Sequence, residues 1–314
     1  MSTVTTYRHP FDLADDAAYR RWRDWKLDAY PATVEDLIVP IGAPGQLAAA
    51  ERDALLTRCC KANMAIYAVR GEDVARKGLV RDLGRQFGLE RLDGNLRADE
   101  DSISSLCVKP ETENTHYIPY TNRPLNWHTD GYYNTLDEQV RGIVMHCVSE
   151  PASGGDNLFL DHEVAYIQLR DANPDYIRAL MQPDAMTIPA NVEQGIEIRP
   201  AQTGPVFSLE TGSGALHMRY TARTRSIHWK DDRNTQQAAG FLAEFLASDS
   251  PCIFRHRLRA GQGIICNNIL HKREAFRDDP DTGRTRLLYR ARYHDRIRGT
   301  EPATDQYLDS LCSG

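Results

Sequence analysis

The sequence predicts an α+β protein whose core is a β-barrel or jelly roll. Short apolar runs separated by glycine turns favour a core of many short strands, and most predicted helices lie outside these runs. Strands and helices do not alternate regularly, which argues against a parallel β-α-β sheet. Neither GxGxxG nor GxxxxGK[ST] occurs, so the usual loops that bind nucleotide phosphates are absent.

The first third of the chain is predicted to be mainly helical, and the remainder to carry most of the strands. Predicted helices cover residues 15–30, 46–63, 73–87, 162–173, 174–181 and 232–246. Predicted strands cover residues 64–69, 143–148, 157–160, 206–209, 215–218, 252–256, 263–266 and 286–293. We therefore expect one domain over residues 1–314, with a mainly helical part at 1–100 and a jelly-roll core with helical insertions at 101–314.

Composition limits the class of protein. The 314 residues are 41% hydrophobic and 26% charged with a net charge of −6, which argues against a nucleic-acid partner. Seven cysteines without a CxxC pair are typical of reduced, cytoplasmic proteins. No apolar run of about 18 residues occurs, and the start of the chain lacks an apolar signal core. We expect a cytoplasmic protein without membrane partners, and homo-oligomerisation stays open.

The tripeptide His128-Thr129-Asp130 is the first chemical signal. In an extended segment, residues two apart point to the same side, so this imidazole and carboxylate could bind one Fe(II), Zn(II) or Mn(II) ion. Ten histidines are present, and about one HxD tripeptide arises by chance in such a chain. A surface turn is therefore the alternative interpretation of the tripeptide alone.

A second signal lies downstream, where His271 follows an apolar strand and an Asn pair. A second histidine would complete a two-His, one-carboxylate metal site with open positions. Beyond it, Arg286, Leu288, Arg290 and Arg292 would share one strand face. Like charges on one face repel each other unless anions neutralise them, and guanidinium groups bind carboxylates in bidentate fashion. A salt-bridged outer face is the alternative.

Together these motifs resemble the Fe(II)/2-oxoglutarate oxygenases of the taurine dioxygenase and γ-butyrobetaine hydroxylase superfamily. The resemblance covers about residues 117–295 and is carried by segments 126–131, 146–157, 161–165 and 270–290. It implies a double-stranded β-helix, or jelly-roll, core with flanking helices that are mostly N-terminal. It implies His128, Asp130 and His271 as the metal ligands and catalytic residues.

The resemblance also implies Fe(II), the cosubstrate 2-oxoglutarate and O₂ as cofactors. Arg286 falls where relatives bind the distal carboxylate of 2-oxoglutarate, and Asn157 stands where relatives commonly have a Thr that supports the same carboxylate. An Asn amide can donate the same hydrogen bond. Arg290 falls where relatives contact an anionic group of the substrate.

The implied enzyme is an oxidoreductase that hydroxylates an unactivated C–H bond while 2-oxoglutarate is decarboxylated to succinate and CO₂. Desaturation, cyclisation and oxidative decarboxylation of the substrate are alternative outcomes. Related halogenases lack the carboxylate ligand, so Asp130 argues against halogenation. Two other classes stay open: a zinc hydrolase with the same ligands, and a cupin-like sensor that binds a metabolite without turnover.

Candidate substrate residues flank the metal motif. Tyr132 and Tyr133, with Tyr117 and Tyr120, could wall a pocket for an aromatic or quaternary ammonium group, although core packing explains them equally well. His217 and Arg219 alternate onto one strand face, and both could reach the pocket. We expect a small carboxylate-bearing metabolite as substrate, such as an amino acid or a related compound.

Overall fold

The computed structural model describes residues 9–69, 75–94, 101–109, 118–223 and 227–302. Its core consists of two sheets that pack face to face. The larger sheet has six strands, side by side in this order: β1 (Ile38–Ile41), β2 (Met64–Val69), β16 (Gln262–Cys266), β5 (Gly142–Ser149), β19 (Leu287–Tyr293) and β3 (Ser104–Leu106). Only the β1–β2 pair of this sheet is parallel.

The smaller sheet contains the strands that carry His128 and His271. Its four antiparallel strands lie in the order β15 (Phe254–His256), β7 (Asn157–Leu160), β17 (Leu270–Arg273) and β4 (Leu125–His128). Four small sheets complete the described strands: β18 (Phe276–Arg277) with β6 (Ser153–Gly154); β10 (Ile196–Arg199) with β9 (Asn191–Glu193); β12 (Phe207–Leu209) with β13 (Leu216–Met218); and β11 (Gln202–Gly204), β8 (Met186–Ile188) and β14 (His228–Trp229).

Six α-helices lie in the described ranges, three before residue 101 and three after it. They are α1 (Asp16–Leu27), α2 (Ala49–Ala62), α3 (Leu79–Arg85), α4 (His162–Ala172), α5 (Pro174–Leu180) and α6 (Arg233–Ala247). Side chains that precede α1, α4 and α6 accept hydrogen bonds from first-turn N–H groups; these N-caps are Asp15, Asp161 and Asp232.

The strands of the larger sheet are buried on both faces. Met145 and Ile264 face the smaller sheet and pack in the core between the sheets. Val144 and Ile265 point the other way, into a cluster that α2 and α3 cover. Burial on both sides explains why these strands are continuous apolar runs in the sequence rather than alternating ones. Each fully buried Val or Ile contributes about 1.5–3 kcal/mol.

The jelly-roll prediction is confirmed by this architecture, and the strand predicted at Met64–Val69 has those bounds. The N-terminal part also contains β1, which was not predicted and which extends the larger sheet beside β2. The helix predicted over 73–87 is shorter, and α3 begins only at Leu79 after Gly78. None of the described helices has the length and hydropathy that crossing a bilayer requires.

Candidate active site

His128 and His271 face each other across two paired strands. His128 is the last residue of β4 and His271 the second of β17, and the two are register partners in the antiparallel ladder. Their ring centroids lie 4.2 Å apart. As predicted, His271 follows an apolar strand and an Asn pair; the structure adds that it lies inside a short strand of its own, which follows β16 after a turn.

Both imidazole rings are held by the backbone. The Nδ1–H of His128 donates to the Asn126 carbonyl at 2.8 Å, and the Nδ1–H of His271 donates to the Ile269 carbonyl at 3.0 Å. A carbonyl can only accept, so each Nδ1 carries a proton, and in the neutral ring this tautomer leaves the lone pair on Nε2. Such backbone hydrogen bonds orient histidine ligands in metal sites.

Asp130 reaches the histidines through a turn. Strand β4 ends at His128, so strand alternation, the reason given by the sequence pattern, does not bring Asp130 there. The turn is fixed on one side by Thr129, whose N–H donates to the Tyr220 carbonyl at 3.0 Å. It then bends at Gly131, where φ is +68° and a Cβ would lie 2.5 Å from Val140. Only glycine fits this bend without strain.

These three side chains form a compact donor set. One ligand atom from each of His128, Asp130 and His271 lies within 4.8 Å of the other two. The His128 Nε2 atom is 3.6 Å from a carboxylate oxygen of Asp130. Two neutral imidazoles and one carboxylate suit Fe(II), which accepts two histidines and one carboxylate on one face. The donor set therefore fits the predicted metal.

Electrostatics keep this donor set in its ligating form. Burial alone would raise the pKa of the Asp130 carboxyl, but the Arg290 guanidinium, followed by the His128 imidazole, holds that pKa well below its ordinary value. Burial, followed by the neighbouring His128, lowers the pKa of His271 to about 4. A carboxylate and a neutral imidazole are the states that bind a metal ion.

A cavity between the two sheets begins at this donor set. Apolar side chains of both sheets form most of its wall, among them Leu106, Met145, Phe159 and Ile264. Its polar wall residues are Asp130, Asn157, His271, Arg273, Arg286 and Arg290. The structure thus brings two of the predicted metal ligands, Asp130 and His271, to the same cavity as both predicted cosubstrate residues, Asn157 and Arg286.

Arg286 is a buried cation with an unused donor. The residue is 5% exposed, and its Nη1 group has no hydrogen-bond partner among the described residues. Its guanidinium lies 5.1 Å from the centre of the Phe276 ring, and burial lowers its pKa to about 10. A buried unpaired guanidinium N–H is costly, and an anion in the cavity would satisfy it.

Arg290 is already engaged. Its Nη1 group lies 3.1 Å and 3.0 Å from the two carboxylate oxygens of Asp130. Its Nε atom is buried without a hydrogen-bond partner in the described chain. The predicted contact between Arg290 and a substrate anion stays a prediction, and the structure adds a pairing with the carboxylate ligand.

Arg273 is a cavity residue that the sequence reasoning missed. Its two terminal amino groups donate to the backbone carbonyls of Ile118, Pro119, Thr121 and Arg123. Burial, followed by repulsion from Arg286, lowers its pKa to about 9. Its position two residues after His271 was a signal, because alternation along β17 places both side chains on the cavity side.

Tyr132 and Tyr133 follow the metal turn directly. The Tyr132 ring meets the His128 ring edge-on, with centroids 6.4 Å apart. The Tyr133 hydroxyl accepts from Arg292 at 3.1 Å, and Arg292 also pairs with Asp93. The two tyrosines lie beside the donor set, although neither lines the cavity between the sheets. Tyr117 lies outside the described residues.

The prediction that Arg219 binds substrate stays a prediction, and the structure shows its donors in another use. The Arg219 guanidinium donates to five backbone carbonyls, so its donors are used within the fold; these belong to Tyr132, Met186, Gln202, Gly204 and Pro205. Arg219 therefore ties the loop after the metal turn to β8 and β11.

His217 also lies away from the cavity between the sheets. It shares its strand face with Arg219, as predicted, but burial, followed by the neighbouring His162, lowers its pKa to about 3. Arg141 and Arg296 add to this effect. The predicted contact between His217 and the substrate stays a prediction.

Comparison with known proteins agrees with this geometry. Residues 35–292 match the model of the family described as taurine catabolism dioxygenase TauD, TfdA family. The chain belongs to this family. Membership confirms the predicted class, an Fe(II)- and 2-oxoglutarate-dependent dioxygenase, and with it the predicted iron and 2-oxoglutarate. Within the family, the roles of individual residues in this chain stay predictions.

Two curated relatives share a name. A uridine-5'-phosphate dioxygenase from an Amycolatopsis species is 30% identical over 179 residues, which cover 55% of this chain and 62% of that protein. A uridine-5'-phosphate dioxygenase from a Streptomyces species is 29% identical over 205 residues, covering 62% of this chain and 71% of that protein. The match thus spans less than two thirds of the first relative's length.

Solved structures show the same fold. Asparagine oxygenase in complex with Fe(II), 2S,3S-3-hydroxyasparagine and succinate superposes with a TM-score of 0.55 at 12% identity. The superposition covers 87% of this chain and 89% of that one. This likeness confirms the jelly-roll core with its flanking helices.

Proposed function

We propose that the protein hydroxylates an unactivated C–H bond of a small anionic metabolite, with Fe(II) and 2-oxoglutarate as cofactor and cosubstrate. One observation carries the proposal: His128, Asp130 and His271 converge beside a cavity in which Arg286 keeps a buried, unused N–H group. A metal donor set and an unsatisfied cation in one cavity suit a metal-chelating dicarboxylate.

Each of these residues has a stated task. The Nε2 atoms of His128 and His271 and the Asp130 carboxylate would hold the metal. Arg286 would bind the distal carboxylate of 2-oxoglutarate, and Asn157, which lines the same cavity, would support it. When bound, Fe(II), 2-oxoglutarate and O₂ supply the oxidant that breaks the C–H bond, and succinate and CO₂ are released.

The apolar part of the cavity wall would limit the water around bound ligands. Leu106, Met145, Phe159 and Ile264 offer water no strong hydrogen-bonding groups. In a dry site the charges of Arg286 and Arg290 act on bound anions with little screening. The protein would thus contribute orientation and a shielded site, while the cofactors contribute the oxidising chemistry.

The substrate we favour is a carboxylate-bearing metabolite such as an amino acid. Arg290, Tyr132 and Tyr133 stand next to the metal turn and are the residues we assign to it. The fold shared with asparagine oxygenase supports an amino acid. A second candidate is a nucleoside monophosphate, since the two curated relatives are uridine-5'-phosphate dioxygenases. Either substrate presents an anion that a guanidinium can bind.

A substrate screen tests the proposal. The purified protein is supplied with Fe(II), 2-oxoglutarate and air, together with panels of amino acids and nucleoside monophosphates, and succinate is measured. Mass spectrometry then separates a gain of one oxygen atom, which means hydroxylation, from a loss of two hydrogen atoms, which means desaturation or cyclisation. Succinate formed only with one panel identifies the substrate class.

Asp130→Ala is the control variant for this screen. We expect it to abolish substrate-coupled succinate production, because the metal loses its only anionic protein ligand in the donor set. Full activity of Asp130→Ala would refute the assignment of the metal ligands. Zinc-dependent hydrolysis of an ester or amide, without succinate from any substrate, would favour the hydrolase alternative.

We also propose that the protein works in the cytoplasm on a small molecule. The argument rests on its cysteines. Six of the seven lie in the described residues, and all six are unpaired. Unpaired cysteines are typical of a reducing compartment. Fractionation of growing cells, with detection of the protein in each fraction by an antibody, measures this location.

A further inference from the structure

Asn268 joins the two segments that carry the candidate metal ligands. It lies in the turn between β16 and β17, three residues before His271. Its side-chain oxygen accepts from the Asp130 N–H at 2.8 Å, and its amide nitrogen donates to the Asp130 carbonyl at 2.9 Å. The same amide nitrogen donates to the Val140 carbonyl at 2.6 Å.

The Asn268 amide thus binds both backbone groups of Asp130, its N–H and its carbonyl. Asn268 is 1% exposed, so water cannot easily replace its amide. A buried backbone N–H or carbonyl group that loses its hydrogen-bond partner destabilises the fold. Without the amide, the Asp130 turn would have to move toward other partners, and the carboxylate would move with it.

The backbone of Asn268 is also set for this task. Its φ is +48°, in the left-handed region, which Asn occupies more readily than other residues with a Cβ, apart from Asp. The left-handed turn directs the chain from the end of β16 into β17, where His271 stands. One residue therefore fixes the turn before His271 and the turn that contains Asp130.

We propose that Asn268 is a positioning residue for the metal site: its amide holds the Asp130 backbone at the distance from His271 that the ion requires. The inference rests on the proposed function, since it concerns the same donor set. Asn268 does not itself supply a ligand. Groups that orient metal ligands in this way typically change metal affinity about 10–100-fold when removed.

Asn267 provides a matched control. It is also buried, and its amide makes three hydrogen bonds: to Asn63, to Thr300 and from the N–H of Ile297. None of these partners carries a candidate ligand. Removal of the Asn267 amide should therefore lower stability without moving Asp130.

The experiment measures metal binding without turnover. Co(II) is titrated by calorimetry into metal-free wild type, Asn268→Gly, Asn268→Ser and Asn267→Ala, and the thermal midpoint of each metal-free protein is recorded. Glycine tolerates the left-handed backbone but removes the amide. Serine keeps a hydroxyl that can replace part of the contacts, which provides a second variant if the glycine variant does not fold.

We expect Asn268→Gly to weaken Co(II) binding about 10–100-fold and Asn268→Ser to weaken it less. Asn267→Ala should bind Co(II) like the wild type, although its thermal midpoint falls. Wild-type affinity in folded Asn268→Gly or Asn268→Ser would overturn the inference, as would an equal loss of affinity in Asn267→Ala. A wild type that binds no Co(II) would instead refute the metal site, and with it the proposed function.

Discussion

Arg290 forms a buried ion pair with Asp130, the carboxylate of the candidate metal site. One guanidinium nitrogen lies 3.1 Å and 3.0 Å from the two carboxylate oxygens, and the residues are 8% and 5% exposed. Arg290 lies in β19, and Arg286 lies four residues earlier, directly before that strand. Both side chains line the cavity, so one cation pairs with the carboxylate ligand while the other keeps an unused donor.

This pairing predicts that Arg290→Gln destabilises the metal-free protein. The change leaves the Asp130 carboxylate buried without its cation, and breaking a buried ion pair costs about 3–5 kcal/mol. A divalent metal ion supplies the missing positive charge. Urea unfolding measures the free energy of unfolding of variant and wild type, first with EDTA and then with saturating Mn(II). The difference between the two proteins should be smaller when the metal is bound.

Arg178→Gln is the control for this prediction. Arg178 pairs with Asp175 on an exposed helix surface, where an ion pair contributes about 0–1 kcal/mol. We expect the free energy of unfolding of Arg178→Gln to lie only slightly below that of the wild type, and Mn(II) should not change this difference. If the deficit of Arg290→Gln were the same with and without Mn(II), neutralisation of Asp130 would not be the role of Arg290.

Arg286→Lys should weaken 2-oxoglutarate binding. Lysine keeps the charge but loses the planar pair of donors that matches a carboxylate, and a hydrogen bond to a charged group contributes about 1.5–3 kcal/mol. We expect the dissociation constant to rise about 10–100-fold. Calorimetric titration of 2-oxoglutarate into the Mn(II)-loaded protein measures it without any substrate.

Arg273→Lys is the matched comparison, because Arg273 lines the same cavity but donates to four backbone carbonyls. It should lose thermal stability while 2-oxoglutarate binds nearly as in the wild type. If Arg273→Lys lost more 2-oxoglutarate affinity than Arg286→Lys, the distal carboxylate would bind to Arg273 and our assignment to Arg286 would be wrong.

The parts of the fold that the sequence predicted well are those with strong local patterns. The strand predicted at 143–148 corresponds to β5, and the helix predicted at 162–173 corresponds to α4. Burial on both faces makes β5 a continuous apolar run, and Asp161 caps α4. Strands β9 and β10 were missed because they are only three and four residues long and largely exposed, so the alternation of Ile196 and Ile198 in β10 is too short to predict a strand.

The candidate site was predictable only in part, for a related reason. His128 and Asp130 stand two residues apart, and the family pattern adds His271 and Arg286. Asn268 carries no such local signal. Its importance comes from contacts with residues more than 120 positions away in the chain, Asp130 and Val140. Such contacts depend on the tertiary fold, which a pattern within one strand or turn does not contain.

Arg219 also shows what a local pattern leaves out, and it leads to a last prediction. Alternation with His217 placed it on one strand face correctly, but the pattern could not tell that backbone carbonyls cover this face. Lysine has too few donors to replace a guanidinium that serves five carbonyls. Arg219→Lys should therefore lower the free energy of unfolding by about 2 kcal/mol or more, since each buried carbonyl left without a partner costs about 1–3 kcal/mol.

The same variant should leave the reaction chemistry intact. Once the screen has identified a substrate, its KM should stay within about twofold in Arg219→Lys at a temperature where the variant is folded. A residue whose donors all bind backbone carbonyls does not contribute to substrate binding. Urea unfolding and steady-state succinate production measure the two effects separately. A stable Arg219→Lys protein with a strongly raised substrate KM would support the predicted contact between Arg219 and the substrate. It would also mean that the loops around Arg219 open when the substrate binds.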